Sequence, residues 1–169
     1  EAAPPVIEVR NLVFDYAGHR RLFSRTAAKR VLHGVDLLIR PREVVAVVGG
    51  SGSGKTTLGR AIAGLIRPTL GEIQFRGHTI KRHDARWHDY RLNCQMVFQD
   101  PYSSLNPRMT IGQLVGEGLR QLPAMSSADK RARVAKMLQE VGLDGKYADR
   151  YAHELSGGQR QRVAIARAL

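Results

Sequence analysis

The chain has 169 residues, 43% of them hydrophobic, enough apolar content to bury the core of about one domain. No run reaches the roughly 18 apolar residues that a membrane span needs, and a single cysteine, Cys94, rules out an internal disulfide and fits a reducing compartment. The formal net charge of +12 raises nucleic acid as a partner, but the basic residues fall in small scattered groups at Arg20-Arg21, Lys29-Arg30, Lys81-Arg82 and Arg160 to Arg167, with few aromatics among them, so a solvated surface is the preferred reading.

The N-terminal Glu1-Ala2-Ala3-Pro4-Pro5 has neither the basic region nor the apolar core of a secretory signal, and no initiating Met. Alternation of apolar and polar residues from Val6 to Phe14 and from Val31 to Ile39 predicts half-buried strands. Pro41-Arg42-Glu43 then turns the chain into Val44-Val45-Ala46-Val47-Val48, a continuous, mostly β-branched run of the kind expected in a strand buried on both faces of a parallel sheet. Next comes Gly49-Gly50-Ser51-Gly52-Ser53-Gly54-Lys55-Thr56, which fits G-x-x-x-x-G-K-[ST]. Leu58, Ile62 and Leu65 follow at helical spacing, and Pro68 ends the segment.

A strand, a Gly-rich turn and a helix N-terminus together make an anion site. Backbone N–H groups along Gly49, Gly50, Ser51, Gly52, Ser53 and Gly54 would cradle phosphate oxygens, and Lys55 would neutralise the outer phosphates. The Thr56 hydroxyl would bind Mg²⁺, and Thr57 would touch an inner phosphate. A Gly-rich turn before an ordinary helix is the competing reading, and the strand and helix placed on either side of the motif count against it.

Farther along, Glu72 to Phe75 with Arg76-Gly77 reads as a strand and turn. His83 and His88 flank Trp87 in a polar stretch, but no Cys or carboxylate set at ligand spacing accompanies them, so no metal site is expected there. Cys94 reads as a half-buried side chain, not a nucleophile, and Met96-Val97-Phe98-Gln99-Asp100-Pro101 as a short apolar strand ending in a polar residue at a turn. After Pro107 the period changes: Ile111, Leu114, Val115 and Leu119 mark one helix. Ser126-Ser127-Ala128-Asp129 starts a second, in which Val134, Leu138 and Val141 share a face before Gly142 closes it. Both stripes read as core packing. Ser156, in Leu155-Ser156-Gly157-Gly158-Gln159, is a good N-cap for a last helix running through Val163 to Leu169.

With the phosphate loop, Gln99 and the Leu155–Gln159 pentapeptide in this order, the chain resembles the ATP-binding cassette family over nearly all its length. The resemblance implies an α/β fold: a P-loop NTPase core with an antiparallel β subdomain over residues 1–101, a helical subdomain over 102–155, and a signature helix over 156–169 returning to the core, C-terminally incomplete. It implies ATP and Mg²⁺ as ligands, with Lys55 and Gln99 serving catalysis and Thr56 and Gln99 serving the metal. In that family two cassettes face head to tail, so Ser156, Gly157, Gly158 and Gln159 would meet the γ-phosphate held by a partner. The stretch Val97-Phe98-Gln99-Asp100-Pro101-Tyr102-Ser103-Ser104-Leu105-Asn106-Pro107-Arg108 is similar to the dipeptide, oligopeptide and nickel importer branch, specifically the second of its two ATPase subunits.

The implied function is the ATP-binding subunit of an importer for peptides or nickel, peripheral on the cytoplasmic face of the membrane. Its partners would be a second ATPase subunit, identical or different, transmembrane permease subunits and, indirectly, an extracytoplasmic substrate-binding protein, with no nucleic acid. Tyr102 to Pro107 is the candidate surface for a coupling helix of the permease. A nucleic-acid-associated ATPase built on the same cassette is the alternative. It would carry long coiled-coil or zinc insertions between the motifs, where this chain has a compact helical segment without heptads or Cys pairs. A non-hydrolysing nucleotide-binding remnant is the third reading.

The chain also departs from the family pattern. The hydrophobic strand ending in Asp, the catalytic Glu and the switch His that follow the signature helix in family members are absent from these residues. The chain is therefore expected to bind nucleotide weakly without turning it over and to be marginally stable alone, with a buried edge left open. Gly50 stands where this branch commonly has Glu, with little effect expected. The aromatic that stacks on adenine is either Tyr16 or Phe23, because the segment from Ala17 to Arg30 is longer than in the simplest cassettes.

Overall fold

In the computed structural model, which describes residues 4–17, 20–21, 24–25, 29–100, 104–121 and 125–169, the first alternating segment forms strand β1 (Ile7–Tyr16). Short strands β2 (Arg20–Arg21) and β3 (Ser24–Arg25) pair with each other, and β4 (Lys29–Ile39) returns antiparallel along β1. On the other side of β1 lies β5 (Leu70–Phe75), with β6 (His78–Thr79) beyond it, so the sheet order is β4-β1-β5-β6 and every pairing is antiparallel. Val9 faces Leu37 on one side and Ile73 on the other. Helices α1 (Lys55–Ile62) and α2 (Arg86–Asn93) supply Leu58, Ala61 and Tyr90 to the core of the sheet.

The alternation of β1 breaks at Asn11, whose φ of 47° marks a bulge; past it Leu12, Val13 and Phe14 are buried in succession. The Asn11 N–H donates to Asp36 Oδ1 at 2.8 Å. Facing the bulge is Gly71, with a φ of +85°, where a Cβ would lie 2.3 Å from the Asn11 carbonyl oxygen. Only glycine fits that crossing.

Two expected strands do not form. Val44–Val48 runs outside any ladder, with Val44 96% and Val48 88% exposed, and Met96–Phe98 is likewise unpaired. A strand buried on both faces needs parallel neighbours, and no described segment supplies one. Helix α2 carries no periodic signal in the sequence, because Trp87 and Tyr90 are its only large apolar side chains besides Leu92 in an otherwise polar window.

The chain divides into two compact units, Glu1–Cys94 and Gln95–Leu169. The second is helical: α3 (Ile111–Val115), a 3₁₀ turn at Gly118–Gln121, α4 (Ser127–Glu140), 3₁₀ turns at Gly145–Asp149 and Ala152–Glu154, and α5 (Gly157–Ala168). Its core joins Ile111, Leu114 and Val115 to Val134, Met137 and Leu138, and to Val163 and Ala166 of α5. Each helix opens on a hydroxyl cap: Thr110, Ser126 and Ser156 accept from the N–H of Gln113, Asp129 and Gln159 respectively.

Candidate nucleotide-binding site

The phosphate loop closes on a turn in which the Ser53 N–H donates to the Gly50 carbonyl at 3.3 Å. Gly54 caps α1 at a φ of 98°, and a Cβ there would meet the Val31 carbonyl oxygen and Leu32 Cδ2, both at 3.0 Å. The loop is thus seated directly on β4. The N–H groups of Lys55, Thr56 and Thr57 have no acceptor within the helix, no side chain caps it, and its first turn holds no acidic residue to compete for an anion.

Lys55 Nζ donates to the Gly49 carbonyl at 2.8 Å, the Gly50 carbonyl at 2.7 Å and Ser53 Oγ at 3.4 Å. Its ammonium is folded onto the loop, already held where the loop's amides turn. The two threonines differ: Thr56 is exposed, whereas Thr57 is buried, with 6% of its surface exposed. The Thr57 Oγ1 and the Tyr16 hydroxyl are 3.3 Å apart, and the half-exposed Tyr16 ring stands edge-on to Phe14 at 4.9 Å. Tyr16 therefore borders the first turn of α1, whereas Phe23 lies outside the described residues.

The far end of α1 is tied down by α2. Tyr90 Oη donates to the Ile62 carbonyl, and Cys94 Sγ donates to the same oxygen at 3.6 Å. Burial pushes both the Tyr90 phenol and the Cys94 thiol up, so Cys94 stays a protonated structural group. The Arg82 guanidinium donates to the Gly64 and Leu65 carbonyls at 3.4 and 3.3 Å, a cation at the negative end of the helix. Among the described residues no cluster of His, Cys, Asp and Glu is placed to hold a metal ion, His83 and His88 included.

In the second unit, Ser156 and Gln159 form a reciprocal capping box. Ser156 Oγ accepts from the Gln159 N–H at 3.3 Å, and the Ser156 N–H donates to Gln159 Oε1 at 2.9 Å. The Gln159 Nε2 also donates to the Tyr147 hydroxyl at 3.1 Å. Ser156, Gly157 and Gly158 are exposed, and nothing lies within 4 Å of where a Cβ of either glycine would stand. Gln99 is exposed in this same unit. Of the proposed coupling surface, Tyr102 and Ser103 lie outside the described residues, and Leu105, only 3% exposed, belongs to the helical core and so offers no contact. Its neighbour Ser104 has its carbonyl bonded by Arg167 of α5 at 3.0 Å.

Nothing in the local sequence marks Tyr147 or Tyr90 for a role at the site. The S-x-x-Q spacing of Ser156 and Gln159 did carry the capping signal.

The ABC transporter family profile matches residues 32–169. The chain belongs to the ABC transporter family. It is 45% identical over 166 residues to a Brucella abortus protein named as a candidate peptide import ATP-binding protein, covering 98% of this chain and 50% of that one. The di/tripeptide transport ATP-binding protein DppF of Pseudomonas aeruginosa is 42% identical over 166 residues, 97% of this chain and 51% of its own. Among solved structures, the dimeric ATP-binding cassette MJ0796 in a post-hydrolysis state with ADP and phosphate superposes with a TM-score of 0.79 at 31% identity, over 96% of this chain and 68% of that one. This ABC chain thus spans about half the length of the curated relatives it matches. The fold is that of an ABC ATPase cassette.

Proposed function

We propose that the chain is the ATP-binding part of an ABC ATPase that drives peptide import. The observation that carries this reading is the phosphate loop: a helix N-terminus free of acid and of side-chain caps, seated on β4 through Gly54, with Lys55 folded across it. Relatives named for peptide transport favour peptides over nickel as cargo.

In this reading the amides from Gly50 to Thr57 hold the phosphates and Lys55 swings from the loop carbonyls to the outer phosphates. Tyr16, beside Thr57, supplies the aromatic face for adenine. The exposed Thr56 hydroxyl is a neutral oxygen donor that would hold Mg²⁺ together with phosphate oxygens and water, while Gln99, the other expected ligand, belongs to the second unit. When bound, Mg²⁺ supplies charge neutralisation at the β- and γ-phosphates. Ser156, Gly157 and Gly158 present donors to the nucleotide of a second cassette, as the dimeric state of MJ0796 suggests for this chain. Further partners are permease subunits, which would seat the protein peripherally on the cytoplasmic face of the membrane. No helix among the described residues is long and apolar enough to cross it. In this reading the phosphate loop holds the nucleotide.

Lys55→Ala in the intact protein is expected to abolish ATP turnover and to weaken nucleotide binding at least tenfold, on the order of a charge-assisted contact to phosphate. Turnover unchanged from the parent would reject the assignment.

A further inference from the structure

Ser156 is one corner of a hydrogen-bonded relay that ends on a residue outside the signature pentapeptide. Gln159 uses its carboxamide at both ends: Oε1 accepts from the Ser156 N–H at 2.9 Å, and Nε2 donates to Tyr147 Oη at 3.1 Å. Its backbone N–H in turn occupies one lone pair of Ser156 Oγ at 3.3 Å, which leaves the hydroxyl proton of Ser156 to donate outward. The Tyr147 ring packs on the helical core, with the Arg150 guanidinium 5.0 Å from its centroid. The turn that carries Tyr147 is itself capped, since Asp144 Oδ1 accepts from the Lys146 N–H at 2.9 Å and the Tyr147 N–H donates to the Asp144 carbonyl at 3.0 Å.

We propose that Tyr147 is a positioning residue for the signature motif: it pins the Gln159 carboxamide in the rotamer that closes the capping box, and so aims the Ser156 hydroxyl and the Gly157 and Gly158 amides at the nucleotide of a second cassette. The proposal rests on the reading of Ser156 to Gln159 as an ATP-contacting motif. Its physical basis is entropic. A glutamine has three rotatable bonds, and one side-chain bond to the Ser156 N–H at a solvent-facing helix start leaves the carboxamide free to pivot about that single contact. A second bond to a hydroxyl on a ring held by the core removes that freedom before the partner arrives, which is the ordering that association otherwise has to supply.

The test is Tyr147→Phe in the intact protein, which keeps the ring and its packing and removes only the acceptor for Gln159 Nε2. Three quantities are read: thermal midpoint, affinity of the monomer for ATP, and dimerisation driven by a non-hydrolysable ATP analogue. Dimerisation is expected to weaken about three- to tenfold, the range of one neutral hydrogen bond, with monomer affinity within about twofold of the parent. In a Gln159→Leu background, Tyr147→Phe should have no further effect, because both changes remove the same bond. Gly158→Asp serves as the control. Space is open at Gly158 and an acid suits the first turn of a helix, so the variant folds while its charge opposes a phosphate. If Gly158→Asp blocks dimerisation while Tyr147→Phe leaves it unchanged, or if the two tyrosine effects are equal with and without Gln159, the positioning role is wrong and the reading of the motif survives. If Gly158→Asp also leaves dimerisation unchanged, the reading of the motif fails and the proposal with it.

Discussion

Gly54 and Gly50 sit four residues apart in one loop, yet the structure asks opposite things of them. At Gly54 the backbone is left-handed, and a methyl group would press at 3.0 Å on the Val31 carbonyl, a backbone atom that cannot rotate aside without disturbing β4. At Gly50 nothing lies within 4 Å of a Cβ position. Gly54→Ala is therefore expected to lower stability by about 1–3 kcal/mol and to weaken nucleotide binding at least tenfold, because the loop must lift off β4 and its amides lose their convergence. Gly50→Glu should shift the unfolding free energy by less than about 0.5 kcal/mol. Chemical denaturation and titration with a fluorescent ATP analogue measure both. Equal effects at the two sites would contradict the seating of the loop. The motif itself identified the loop as one that needs glycine. Which glycine carries the constraint was not legible, because it depends on Val31 and Leu32, more than twenty residues upstream in a strand whose register no local pattern specifies.

Tyr90 makes the same point for an element. Helix α2 has almost no amphipathic signal, and what fixes it is a contact at a distance: Tyr90, only 1% exposed, donates to the last carbonyl of α1, and its ring meets Phe75 edge-on at 5.4 Å. Sequence periodicity found β1, β4, β5, α1 and α4 because their apolar residues repeat at the spacing of the element. It missed α2, whose few apolar residues serve one anchor, and it read Val44–Val48 as a buried strand because composition reports what a segment is suited to, not whether partners are present to pair with it. The Tyr90 anchor also has a pH signature. Burial holds the phenol above its ordinary value of about 10, so its ionised form is disfavoured only in the folded state. The contribution is full below pH about 10 and is lost as the pH rises beyond that, where the unfolded chain releases the proton first. Tyr90→Phe is expected to cost about 1 kcal/mol at neutral pH by orphaning part of the Ile62 carbonyl's bonding, and to flatten the alkaline limb of stability between about pH 10 and 11.5. Denaturation midpoints across that range distinguish the two variants; parallel curves would mean that the phenol is not the titrating group.

For the molecule as a whole, the sheet of the first unit buries its core together with residues of α1 and α2, while the run from Val44 to Val48 stands open, with Val44, Val47 and Val48 at 96%, 48% and 88% exposure. A β-branched, uncharged segment without a ladder partner is a template for pairing with another chain. Opposing this is the net charge of +12, which repels copies of the chain from one another. The two terms differ in range. Repulsion between separated charges is screened within roughly 8 Å at physiological ionic strength and within about 3 Å at 1 M salt, whereas pairing through backbone hydrogen bonds and apolar contact acts only at touching distance and is not screened. Self-association of the 169-residue chain is therefore expected to rise with salt, the reverse of what an ionic interface would do. Val48→Lys places a charge at the C-terminal end of the open run without disturbing any buried contact, since the side chain is already in water. It is expected to suppress the salt-induced association and to lower binding of a hydrophobic dye, with the unfolding free energy within about 0.5 kcal/mol of the parent. Sedimentation velocity at 0.05 M and 1 M NaCl reads the association directly. If the parent stays monomeric at both, or if Val48→Lys associates as the parent does, the open run is not the adhesive surface.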